Sequence, residues 1–183
     1  MNETQRSKLR REAFGFVFQS GLLIPELTAI ENVALALMLN GVPRRDAETQ
    51  SLGWLAHLGL AGMENRRIGE LSGGQAQRVA IARAQVTGAR IVFADEPTGA
   101  LDSTTSAEVM TALLNATAGR GNTLVLVTHD PTVASRCSRT LFMHDGVLSL
   151  APTSRPAATS VIPGASPGTT FLPQLSQDGE ARA

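Results

Sequence analysis

Residues 71–102 read LSGGQAQRVAIARAQVTGARIVFADEPTGALD, and the fold is decided there. Ser72 is a helix N-cap. Gly73 and Gly74 leave the start of the helix free of side chains that would block an anion. The helix that follows points free N–H groups and its positive dipole end toward such a ligand. Gln75–Val86 continues as a helix with Val79, Ala82 and Val86 on one side. Ile91–Ala94 is then a short, fully apolar strand, and Asp95 and Glu96 stand at its C-terminal end, where ligands bind in open α/β sheets. An ordinary capped helix start accounts for the first feature taken alone. A strand that ends in a solvated turn before Pro97 accounts for the second. Together they describe a phosphate site beside two carboxylates, one able to hold a hydrated Mg²⁺ while the next polarises a water.

Working outward, Ser103–Ala118 reads as a helix and Thr123–Thr128 as a second buried strand ending at His129-Asp130-Pro131. His129 has a structural reading, since Asp130 is a good N-cap with Pro131 at the first helical position. It also lies at a strand's C-terminal end, beside the strand that carries Asp95. Leu141–Met143 and Val147–Leu150 flank Asp145-Gly146, a hairpin turn signal. Upstream, Gly15–Gln19 is a short apolar run ending at a polar side chain, hence a buried strand. Thr28 and Glu31 form a capping box, followed by Ile30, Val33, Ala34 and Leu37 at helical spacing. Pro43 opens another helix with Ala47, Ser51, Trp54, Leu55 and Leu58 on one face, which makes Trp54 a core residue rather than a ligand platform. Strands alternating with helices imply a mainly parallel sheet of the α/β class.

Composition narrows the function classes. Sixteen basic and sixteen acidic residues balance, and aromatics make up 4% of the chain, so the basic face with stacking aromatics of a nucleic-acid binder is missing. Cys137 stands alone and reads as an inert structural thiol. Met1–Arg11 is polar with no signal-like apolar region, and Lys8, Arg10 and Arg11 read as a solvated face. The longest apolar run, Val33–Leu39, falls far short of the roughly 20 residues that cross a bilayer. From Ala151 the character changes: Pro152, Pro156, Pro163, Pro167 and Pro173 punctuate an Ala/Ser/Thr/Gly background with Phe171 as its one aromatic. Residues 151–183 therefore read as a disordered tail.

In order, type and spacing, residues from about Arg10 to Leu150 resemble the nucleotide-binding domain of ABC transporters. Ser72, Gly73, Gly74 and Gln75 lie in the LSGGQ signature motif. Asp95 and Glu96 resemble the Walker B aspartate and the catalytic glutamate, and Gln19 the Q-loop glutamine. Gly99-Ala100-Leu101-Asp102 resembles the D-loop, and His129 the switch histidine. The phrases GFVFQ, LTAIENV, RVAIARA and ADEPTGALD look most like the lipoprotein-release, macrolide-export and cell-division branch. Ala76 and Gln85 stand where the family usually has Gln and Leu, which makes Gln85 a buried amide in need of partners. The resemblance implies a P-loop-NTPase-like α/β domain over residues 1–150 with an inserted helical subdomain at about 22–88. It implies ATP and Mg²⁺ as ligands. Gln19 and Asp95 would contact Mg²⁺, Glu96 would be the general base and His129 would contact the γ-phosphate. Ser72–Gln75 would grip the γ-phosphate of ATP on the opposite subunit of a head-to-tail dimer, with Asp102 in the D-loop beside it. A membrane permease would be the partner, placing the domain in the cytoplasm against the inner face of the cell membrane.

One part of the pattern is missing. A P-loop needs G-x-x-x-x-G-K-[ST], and Lys8, between Ser7 and Leu9, is the sole lysine, so the chain holds no such motif. Its absence leaves enzymatic activity of this chain open. A late start or truncated gene is the favoured expectation, because Glu96 and His129 serve a nucleotide on their own P-loop. The strands would then pack around a gap and expose apolar surface. The alternative is a non-catalytic half-domain that supplies the signature motif in trans or docks on a permease. A chromosome-maintenance or DNA-repair ATPase would need a long coiled coil between Gln19 and Ser72, where only two short helices fit.

Overall fold

The strand Phe14–Phe18 (β1) leaves its side chains alternately buried and exposed, and that alternation organises the molecule. In the computed structural model, which describes residues 1–144 and 146–150, β1 pairs in parallel with Ile91–Asp95 (β2). That strand pairs in parallel with Thr123–Val127 (β3). The order is β1-β2-β3. The registers Gly15↔Val92↔Leu124 and Val17↔Ala94↔Leu126 put one row of side chains on the covered face. Phe16↔Phe93↔Val125 lies in the opposite row.

Between β1 and β2 the chain makes three helices: Ala29–Met38 (α2), Arg44–His57 (α3) and Gly73–Gln85 (α4). Thr28 caps α2 through the expected box with Glu31, and Val33, Ala34 and Leu37 are buried on its inner face. Pro43 stands at the N-cap of α3, whose Ala47, Ser51 and Leu55 are buried. Trp54 packs at the rim of the core, not inside it, with the Arg120 guanidinium 4.7 Å from the centre of its ring. The helix Ser103–Ala116 (α5) follows β2 and stops two residues short of the expected end, where Thr117 leads into a 3-10 turn. Pro131–Ala134 (α6) begins on an Asp130 cap as anticipated.

The centre of this assembly is α4. Gly74, Gln77, Val79, Ala80, Ile81, Ala82, Ala84 and Gln85 are all buried, so burial runs nearly around the helix rather than along one stripe. Two glycines permit this. A β-carbon at Gly15 would stand 2.3 Å from the carbonyl oxygen of Ala84, so β1 lies directly against the α4 backbone. A β-carbon at Gly74 would stand 2.4 Å from Cγ2 of Thr105 on α5.

Two expectations are revised. The strands do not pack around a gap, because all three pair directly in continuous register. Nor are they buried on both faces. The row containing Phe16 (36% exposed), Val125 (41%) and Val127 (58%) faces away from the core, and β3 has no fully buried residue because it is the edge strand with one covered side. The polar N-terminus forms a helix, Glu3–Ala13 (α1), capped by an Asn2–Gln5 box and burying none of its own residues. It overhangs part of the open sheet face: Leu9 and Arg6 share a cleft of about 350 Å³ with Phe14, Phe16 and Phe93.

Leu141–His144 (β4) and Val147–Leu150 (β5) pair antiparallel, Leu141 opposite Leu150 and His144 opposite Val147, and belong to a second unit. Asp145 of the anticipated turn and the tail 151–183 lie outside the described residues.

Two measurements check the packing around α4. Gln85 is 1% exposed and its Nε2 has no hydrogen-bond partner among the described residues. An unsatisfied buried donor costs about 1–3 kcal/mol, so Gln85→Leu is expected to raise stability by about that amount in urea unfolding followed by Trp54 fluorescence. A lowered midpoint would mean that the amide does have a partner. Gly74→Ala is expected to lower stability by about 1–3 kcal/mol through overpacking. Thr105→Ser in the same chain removes Cγ2 and should recover most of the loss, and no recovery would place the clash elsewhere.

Candidate functional site

The parallel sheet gathers polar side chains at the C-terminal ends of its strands. Asp95 is the last residue of β2, level with Phe18 of β1 and Val127 of β3. Its side chain is exposed. The Glu96 N–H donates to the Val127 carbonyl at 2.9 Å, which extends the ladder one residue further. Glu96 then adopts φ 45, a left-handed conformation that costs a non-glycine residue about 1–3 kcal/mol. Its carboxylate is held by three donors: the Thr128 hydroxyl to Oε2 at 3.0 Å, and the His129 backbone N–H and ring Nδ1 to Oε1, each at 2.7 Å. Burial pushes the Glu96 carboxyl upward, but the His129 ring, the His129 N–H and the Thr128 hydroxyl together outweigh it and leave it below the usual carboxylate range. The carboxylate is thus ionised at neutral pH, and with about four lone-pair sites per carboxylate one remains open.

Gln19 follows β1 directly and is exposed. Its side chain lies against the turn after Glu96: a β-carbon at Gly99 would stand 2.9 Å from the Gln19 Nε2. Gln19, Asp95, Glu96 and His129 are therefore brought to one edge of the sheet. Among the described residues no group of three or more His, Cys, Asp or Glu forms a metal cage. The donors at this edge, one exposed carboxylate and one amide, are too few to enclose a cation. They suit Mg²⁺, which keeps several waters and completes its shell with substrate phosphate oxygens.

Ser72, Gly73, Gly74 and Gln75 form a second group at the start of α4. The Ser72 hydroxyl accepts from the Gln75 N–H at 3.3 Å, and the Gln75 side chain accepts from the Ser72 N–H at 2.9 Å. This reciprocal box leaves the Gly73 and Gly74 N–H groups as the free donors of the first turn. Gly73 is exposed, whereas Gly74 is buried against Thr105, so packing demands a glycine at 74 independently of any ligand. Asp102 caps α5, its Oδ1 accepting from the N–H groups of Thr104 and Thr105 at 3.1 and 3.0 Å. Those bonds from Thr105, first side chain and then backbone, hold its carboxyl below the ordinary value. Leu101 and Thr105 flank the two glycines, which puts Asp102 beside the signature turn. The hydrogen bonds of Ser72 and Gln75 close on each other and those of Glu96 close on Thr128 and His129, so this chain holds two separate groups.

Two contributors were not anticipated. Thr128 is the hydroxyl that Glu96 uses, and the Asp130 N–H donates to it at 3.1 Å. A hydroxyl residue directly before His129 at a strand end was the available signal. The other is the pair Gln77 and Arg83 on α4, which bond the backbone on either side of Gln19. Arg83, a cation between Ala82 and Ala84 on a helix buried nearly all round, was the sign of it. Burial pushes the Cys137 thiol up, in keeping with an inert thiol.

Comparison with known proteins shows the family and the fold. Residues 1–99 match the family model described as ABC transporter. The chain is 49% identical over 150 residues to the pyoverdine export ATP-binding/permease protein PvdT of Pseudomonas fluorescens, covering 81% of this chain and 23% of that protein. It is 48% identical over 142 residues to the macrolide export ATP-binding/permease protein MacB of Chromobacterium violaceum, covering 78% of this chain and 22% of that protein. The chain thus spans about a quarter of the length of the curated relatives it matches. Among solved structures, a dimeric post-hydrolysis state of the ATP-binding cassette MJ0796 bound to ADP and Pi superposes with a TM-score of 0.70 at 38% identity, over 82% of this chain and 68% of that one. By family model, sequence identity and fold, this chain belongs to the ABC transporter family.

Proposed function

We propose that this chain is the catalytic portion of an ATP-hydrolysing cassette that drives export or release of a substrate through a membrane permease. The observation that carries the reading is the Glu96 carboxylate, strained at its backbone and held by Thr128 and His129 at the open end of a parallel sheet. A half-domain acting only in trans would need no more than Ser72–Gln75 and Asp102. It would have no use for a tensioned carboxylate with its own histidine.

In this reading Asp95 and Gln19 hold Mg²⁺, which neutralises charge on the β- and γ-phosphates of ATP when bound. Glu96 is the general base: its open lone pair accepts a hydrogen bond from the attacking water. His129 shares its ring between Glu96 and the γ-phosphate. When Nδ1 leaves Oε1, the carboxylate loses one of the bonds that depress its proton affinity and becomes the better base. Ser72, with the free N–H groups of Gly73 and Gly74, receives the γ-phosphate of a nucleotide carried by a second cassette, and Asp102 lines the same boundary. The catalytic unit is therefore a head-to-tail dimer with two nucleotides between the subunits.

The phosphate cradle lies outside these 183 residues, and we place its packing surface on the open sheet face, where Phe16, Phe93, Val125 and Val127 await a cover. Among the described residues no helix is long and apolar enough to cross a membrane. Attachment at the inner face of the cell membrane is accordingly assigned to the permease partner.

The test joins these residues in frame to a segment carrying G-x-x-x-x-G-K-[ST]. Glu96→Gln removes the base while keeping its size and is expected to slow single-turnover hydrolysis by about 10²–10⁴-fold. An ATP-bound dimer should then accumulate on gel filtration. Ser72→Arg is expected to abolish that dimer while nucleotide binding persists. An unchanged hydrolysis rate in Glu96→Gln overturns the assignment of the base. The 183-residue chain alone is expected to bind MgATP weakly, and micromolar affinity by calorimetry would contradict the placement of the cradle elsewhere.

A further inference from the structure

The loop that carries Gln19 is bent by two consecutive left-handed residues, Gly21 at φ 68 and Leu22 at φ 45. Glycine adopts such a conformation freely, but leucine does so against steric resistance from its β-carbon. The Leu22 side chain is 59% exposed, so no burial of that side chain compensates. Something else keeps the backbone there.

Arg83 supplies it. Its Nη2 donates to the Gly21 carbonyl at 2.7 Å and its Nη1 to the Leu22 carbonyl at 2.6 Å, so the planar fork grips two successive peptide units. Six residues earlier, one and two-thirds turns along the same helix, Gln77 Nε2 donates to the Phe18 carbonyl at 2.9 Å. These three bonds bracket Gln19 on both sides. Among the described residues Arg83 takes part in no ion pair, so its charge is spent on backbone carbonyls alone. Burial disfavours that charge and pushes the guanidinium below its ordinary value, which makes the two carbonyls its compensation.

We propose that Arg83 is a positioning residue: with Gln77 it clasps the strained Gly21–Leu22 bend and makes the Gln19 loop move as one body with α4, whose first turn carries Ser72–Gln75. Without the clasp the Leu22 backbone relaxes, and Gln19 loses its fixed place beside α4. This deepens the proposed function, from which Gln19 and Ser72 take their roles, but the clasp is tested without nucleotide. Failure of the hydrolysis experiment leaves the clasp standing, and failure of the clasp leaves hydrolysis standing.

The experiment is amide hydrogen exchange on the full chain, resolved at three places. The Gly21 N–H donates to the Phe18 carbonyl at 2.9 Å inside the clasped loop. The Ile24 N–H donates to Asn32 Oδ1 at 2.8 Å just beyond it. The amides of α4 report global opening. Arg83→Met keeps the length of the side chain and removes the donors. It is expected to speed Gly21 exchange at least tenfold, while exchange of Ile24 and the centre of α4 changes less than threefold. Leu22→Asn introduces a residue that tolerates the left-handed region. Added to Arg83→Met, it should return Gly21 exchange to within threefold of the parent, a rescue that a mere packing role for Arg83 would not show. Uniformly faster exchange across α4 and β1, or no rescue by Leu22→Asn, overturns the proposal. So does a Gly21 rate in Arg83→Met within threefold of the parent. If Arg83→Met does not fold, Leu22→Asn alone decides: with Arg83 present it should leave Gly21 protection unchanged and raise the urea midpoint, and a lowered midpoint overturns the strain on which the clasp acts.

Discussion

The seating of α4 is the constraint on which the rest of this structure depends. A helix can approach a strand at backbone distance only where no β-carbon intervenes, and Gly15 supplies that position against Ala84. It can approach a second helix as closely only at a residue such as Gly74, opposite Thr105. With both contacts made, α4 touches β1, α5, α2 and α3, and its surface is buried nearly all round. Close packing of this kind leaves little room for independent movement, since interiors are as dense as organic crystals. The Ser72–Gln75 turn at one end of α4 and the Gln19 loop bonded by Gln77 and Arg83 therefore share a single rigid support.

The sheet shows the opposite economy. Its covered face is filled by Val17, Val92 and Ala94 against the helices, while the other face presents aromatic and β-branched side chains. Parallel sheets ordinarily have both faces covered. Past the Glu96 N–H the ladder ends, and the Glu96 side chain continues the link to Thr128 and His129. The strain at Glu96 is tolerated because three hydrogen bonds on its carboxylate hold the residue in place.

Most of the elements were legible one at a time. Capping signals at Thr28, Ser72 and Asp130 mark real helix starts, and the apolar runs read at 15–19, 91–94 and 123–128 fall on the strands 14–18, 91–95 and 123–127. These signals act within a few residues of one another, which is why they can be read from order alone. The burial of those strands was not legible in the same way. A continuous apolar run looks the same whether one or both of its faces are covered, so β3 read as buried although it is an exposed edge. The N-terminal helix was overlooked because its apolar positions are few, even though Asn2 and Gln5 carry a complete capping box.

The candidate site divides along the same line. Residue types and spacing along the chain determine by themselves that an anion-facing helix start is followed by a strand ending in Asp95-Glu96 and another ending in His129. Those features belong to single elements and need only the local periodicity of helix and strand. Tertiary structure alone decided that the Glu96 carboxylate meets Thr128 and His129 some thirty residues on, and that Gln19 rests on Gly99. It alone decided that Gly74 answers to Thr105 as well as to a ligand, and that Arg83 holds a loop sixty residues before it. Each of these joins groups far apart in sequence through a hydrogen bond or a contact of a few ångströms. Such a distance is set by how α4 and the three strands pack together, and no pattern within one element encodes it.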